Sequence, residues 1–100
     1  MRKLELIELK DYNVCVFKDI ESGAKIELML EFFKINKPQL KDKILIEDSL
    51  LDVNSIYFVQ PYSFELSSEF EPRQVRDRNM KEFIVLNRSN KNYVLKRIYG

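Results

Sequence analysis

The ten residues Ala24–Phe33, AKIELMLEFF, restrict what this chain can fold into more than any other stretch. Ile26, Leu28, Leu30 and Phe32 recur at period two, and Lys25, Glu27, Met29, Glu31 and Phe33 fill the positions between them. Successive side chains of a strand point to opposite faces, whereas a helix needs apolar residues three and four apart. The stretch therefore predicts a long strand with one dry face. Ahead of it, Asp19-Ile20-Glu21-Ser22-Gly23 supplies a turn with one residue free to take positive φ, and Val14–Lys18 before that turn is again strand-like. Together they predict a β-hairpin.

The rest of the chain reads in the same short period. Leu4-Glu5-Leu6 alternates, but the phase shifts between Leu6 and Ile7, which predicts a first strand with a bulge. Lys10–Asn13 is a turn, so the first three strands form a meander. Asn36-Lys37-Pro38 breaks the chain, with Pro38 pushing Lys37 towards an extended backbone. Lys43–Glu47 is short and apolar enough to be a strand covered on both sides. Asp48 offers a helix cap before Leu50 and Leu51, and predicts one helical turn near 48–53. Ile56–Gln60 is a fifth strand, stopped by Pro61, which suits only an edge or an end. Tyr62–Leu66 continues as an irregular edge, a polar loop occupies about 67–80, and Glu82–Leu86 with Asn92–Tyr99 forms a closing hairpin around Arg88–Lys91.

These elements predict a single β-rich domain over residues 1–100. It is an all-β fold, a small antiparallel barrel or two-sheet sandwich of six to seven short strands. Over residues 3–60 the order of strands, with a helical turn between the fourth and fifth, resembles SH3-like small barrels. An OB-like barrel is the alternative, although such barrels usually place a helix after the third strand, where this chain has the Pro38 loop.

Composition excludes more functions than it suggests. There is no histidine, which removes Ser-His-acid and Cys-His nucleophile systems and the usual zinc ligand sets. Two glycines cannot build a phosphate-cradling loop, so no nucleotide cofactor is expected. The acids near Glu47, Asp48 and Asp52, and at Glu69 and Glu71, lack the spacing of a calcium loop; no metal site is expected. Cys15 sits in Val14-Cys15-Val16-Phe17 without a cation inside that run to activate it, so it reads as a structural thiol. One cysteine makes no internal disulfide, and no apolar run reaches the ~18 residues of a membrane span. A cytoplasmic protein without catalytic residues is the expectation.

Charge is unevenly placed along the sequence. From Ile44 to Pro72 there are six acids and no base, whereas from Arg73 onward eight bases face two acids. The two blocks either neutralise each other in the fold or present a basic surface. The leading reading is an interaction module for another protein or a protein–RNA assembly. Arg73, Arg76, Arg78, Lys96, Arg97, Tyr62 and Phe64 are its candidate partner-binding residues. Direct nucleic-acid binding through the basic C-terminal region is the alternative, and an enzyme of unfamiliar type the third. The sequence leaves the oligomeric state open.

Overall fold

In a computed structural model, which describes residues 2–62, 84–88 and 91–99, the chain is all-β. Its strands are β1 (Arg2–Leu9), β2 (Val14–Asp19), β3 (Lys25–Phe32), β4 (Lys43–Ile46), β5 (Ile56–Tyr62), β6 (Ile84–Arg88) and β7 (Lys91–Tyr99). They close into a barrel in the order β1-β2-β3-β5-β7-β6-β4. The only helical pieces among the described residues are 3-10 turns at Lys34–Asn36 and Asp48–Leu50. No helix among these residues is long and apolar enough to cross a membrane.

The expected meander is present, with β2 antiparallel to both β1 and β3. β4 then returns to pair with β1, so the first four strands lie in the spatial order 4-1-2-3 of a Greek key. β5 crosses over to join β3 in parallel, pairing Met29 with Ile56 and Phe32 with Val59. This corrects the all-antiparallel expectation. It also corrects the SH3-like assignment, because a Greek-key path is the OB-like one of the two. The hairpin β6–β7 stands between β5 and β4 and completes the closure.

Local chemistry explains the joints. The β1 register slips between Leu6 and Glu8, as the phase shift at Ile7 predicts. Gly23 takes φ of 78°, and nothing lies within 4 Å of where a Cβ would stand, so the requirement for glycine is conformational rather than steric. Asp19 closes that turn by accepting the backbone N–H groups of Glu21 at 2.9 Å and Ser22 at 3.1 Å. Lys37 is extended before Pro38, as expected, but the preceding residues use the space for a 3-10 turn. Pro61 does not stop β5, which runs on to Tyr62. β3 pairs with β5 only as far as Val59, so Pro61 lies where β7 alone is its neighbour and its missing N–H is not needed. Asp48 is not a cap: it is the first residue of its turn, follows Glu47, and pairs instead with Arg2 at 2.8 Å.

The core lies inside the barrel. Leu4 and Leu6, Cys15 and Phe17, Leu28 and Leu30, Ile44 and Ile46, Tyr57 and Val59, Leu86, and Tyr93 and Leu95 meet there, so every strand contributes. Leu45 is buried on the other side of β4, which is the two-sided cover its apolar run implies.

Candidate interaction surface

Among the described residues, two surfaces could carry function, one end of the barrel and one outer face. At the end, the loop between β4 and β5 is pinned by two core-strand side chains. Tyr57 donates its hydroxyl to the Leu50 carbonyl at 2.8 Å, and Arg97 Nη2 donates to the same oxygen at 3.0 Å. The Asp52 N–H in turn donates to the Tyr57 hydroxyl at 3.2 Å. The Asp52 carboxylate accepts the Asn54 N–H and the hydroxyl of the buried Ser55, both at 2.9 Å. Those bonds, Asn54 first and Ser55 next, with a smaller attraction from Arg97, hold the Asp52 carboxyl below the usual carboxylate range despite some desolvation. The arrangement orders a loop. It brings together an arginine and a tyrosine that share the Leu50 carbonyl and an aspartate whose carboxylate holds Asn54 and Ser55.

The outer face of β3, β5 and β7 is different in kind. Register places Met29 of β3 opposite Ile56 of β5, with Val14 of β2 on the far side of Met29. The β5–β7 pairing slips between Ile56 and Tyr57, leaving Ile98 as the extra residue beside them, 48% exposed. One step along, Glu31 of β3, Phe58 of β5 and Lys96 of β7 form a second row. Met29 is 38% exposed, and Phe33, just beyond β3, is 64% exposed with its ring edge-on to that of Phe58 at 5.3 Å between centroids. The following turn carries Ile35 at 82% exposure. Buried Asn36 fixes this turn to the sheet by donating its side-chain amide to the Val59 carbonyl at 3.4 Å. This is an apolar patch on a rigid sheet, crossed by one row with an acid at one end and a base at the other. Glu31 and Lys96 are both exposed, and neither makes an ion pair with a described residue.

Of the candidate residues named from sequence, Lys96 lies on this face. Arg97, one residue on, has the opposite parity: it follows Tyr93 and Leu95 on the inward side of β7 and serves the loop at the barrel end. Tyr62 ends β5, its backbone paired with Asn92. Phe64, Arg73, Arg76 and Arg78 lie outside the described residues. Met29, Glu31, Phe33 and Ile35 were not singled out by sequence reasoning, and Phe58 stands out there only as a neighbour of the aromatic candidates Tyr62 and Phe64. The signal for three of them was available, since Met29 and Phe33 are apolar residues at the wet positions of an alternating strand and Glu31 stands between them.

Cys15 is fully buried, and that burial pushes its thiol up to about 11, far from the thiolate a nucleophile needs. No cluster of three potential metal ligands occurs among the described residues. A shallow depression of about 490 Å³ beside the β1–β2 turn is lined by Glu8, Leu9, Lys10, Asp11, Val14 and Glu27. Lys10 already spends its charge on Glu27 there, at 2.7 Å. Compared with known proteins, the chain matches no family model, no curated protein and no solved structure.

Proposed function

We propose that this chain is a non-catalytic interaction module of the cytoplasm, and that the outer face of β3, β5 and β7 is its docking surface for protein. One observation carries the reading: the Phe33 ring is mostly exposed, yet is held edge-on against Phe58 beside Met29 on the hydrogen-bonded outer wall of the barrel. Exposed apolar residues scattered singly need no explanation, but several in register on one rigid face are what a protein partner covers. Charge favours protein over nucleic acid at this face. Lys96 is offset by Glu31 in the same row, and further along β3 Glu27 faces Lys10. A phosphate backbone needs a basic surplus that these residues do not provide.

The test is affinity capture from the source cell with the wild-type chain and with Phe33→Ser, each with and without nuclease. The module reading expects protein partners that survive nuclease and are lost with Phe33→Ser. If nuclease removed every partner, the assignment would pass to nucleic acid, with Lys96, Arg73, Arg76 and Arg78 as the first residues to replace.

A further inference from the structure

We propose that the partner seated on this face is a second copy of the same chain, packed sheet to sheet about a two-fold axis running along β5. The inference rests on the docking role assigned to the face above, and it is the charge pattern that selects the occupant. Across the strands the row reads Glu31, Phe58, Lys96: acid, aromatic, base, with Phe58 in the middle. Neighbouring strands lie about 4.8 Å apart, so the two charges are about 10 Å from each other, too far to pair within one chain. Both are exposed and make no ion pair with described residues.

A two-fold axis lying between the sheets and parallel to β5 exchanges left and right across the strands while keeping each row level. Phe58 then faces Phe58 of the second copy, Glu31 faces its Lys96, and Lys96 faces its Glu31. The adjoining row behaves consistently. Ile56 meets Ile56, and Met29 of β3 comes over the position of Ile98 at the β7 bulge, apolar on apolar. The other in-plane axis, across the strands, would stack Glu31 on Glu31 and Lys96 on Lys96, and like charges brought together disfavour it. An isologous interface requires a patch that complements itself under rotation. This row meets that requirement in one orientation and fails it in the other. A partner of different sequence has no reason to demand an acid and a base placed symmetrically about one aromatic ring.

The decisive experiment is charge reversal read by sedimentation velocity at low salt. The full 100-residue chain would be followed from about 10 µM to about 1 mM, because an interface with so small an apolar centre is expected to be weak. The wild type should shift from monomer to dimer across that range. Each single reversal, Glu31→Lys or Lys96→Glu, turns both symmetry-related pairs repulsive and should weaken dimerisation by about tenfold or more. The double variant E31K/K96E exchanges the two charges and should return the dimer to within about threefold of wild type. Both positions are exposed, and matching melting temperatures would show that all four chains are folded. A wild type that stays monomeric, single reversals without effect, or a double variant that fails to recover would each overturn the proposal. The module reading fails separately: it falls if Phe33→Ser captures the same cellular proteins as wild type, whatever the chain does with itself.

Discussion

The two faces of β3 belong to the same eight residues and have opposite fates. Inward, Leu28 and Leu30 are fully buried in the barrel with Phe17, Tyr57 and Val59. Outward, Met29 and Glu31 stand in solvent, continued by Phe33. The inner side is explained by folding, because the core accounts for each apolar residue on it. The outer side is not, because Met29 and Phe33 gain little from staying where they are in an isolated barrel. What the contrast teaches is that an apolar residue at a wet position of a well-determined strand calls for a cause outside the fold.

The largest effect should come from cutting into the inner side. Leu28→Ala or Leu30→Ala removes a side chain from a closed barrel that cannot collapse around the gap, and should cost about 2–5 kcal/mol. Met29→Ala, between them in sequence, should stay within about 0.5 kcal/mol. Urea unfolding of the three variants measures this directly, and similar losses at positions 28 and 29 would mean that the outer face is covered after all.

A smaller effect tests the barrel end against the outer face. Tyr57→Phe keeps the core ring but deletes the hydroxyl that donates to Leu50 and accepts from Asp52. The Leu50 carbonyl keeps the Arg97 donor, but the Asp52 N–H loses its acceptor, which should cost about 1–3 kcal/mol. Lys96→Ala, one row away on the outside, should cost less than about 0.5 kcal/mol. If Tyr57→Phe melts with the wild type, the β4–β5 loop is not held by this contact.

The same reasoning gives a direction in pH. Asp19 and Asp52 both sit below their ordinary pKa. In Asp19 the first cause is the Ser22 backbone N–H, then Glu21; in Asp52 it is the Asn54 N–H, then the Ser55 hydroxyl. A carboxylate lowered in the folded state contributes stability in full above its unfolded pKa of about 4, and loses it as pH falls through the lower folded value. The chain should therefore be less stable at pH 3 than at pH 6, by an amount reduced in the Asp19→Asn and Asp52→Asn variants. A flat response in wild type between those values would show that neither turn depends on its carboxylate.

How much of this was legible in sequence follows from how local each cause is. The strand β3, its dry face, the bulge after Leu6, the glycine turn at Gly23 and the last hairpin are all set by neighbours within a few residues, and they were readable. The parallel β3–β5 pair joins Met29 to Ile56 across the β4 excursion, and nothing in either segment announces it. Pro61 looked like a stop because its tolerance depends on where a different strand ends. Arg97 looked like a binding residue because it lies in a basic block, whereas its parity with Tyr93 and Leu95 sends it inward. At the candidate site the basic residues and the aromatics beside Pro61 stand out in sequence and Met29 and Phe33 do not, although the parity of those two places them on the wet side of the strand.

The smallest effect is the most informative about that side. Phe33 lies past the end of β3, is 64% exposed, and touches the barrel through the edge-to-face contact with Phe58. An aromatic pair of this geometry contributes about 0.5–1.5 kcal/mol when desolvated, and exposure reduces it. Phe33→Ser should thus change the unfolding free energy by no more than about 0.5 kcal/mol. Leu30→Ala, three residues earlier on the inner side, should change it several times as much. If Phe33 were part of the fold's support, the two losses would converge and the case for a docking face would lose its premise. If they separate as expected, the Phe33→Ser chain becomes a folded protein altered only in what it can bind, and any partner it fails to hold was held by this face.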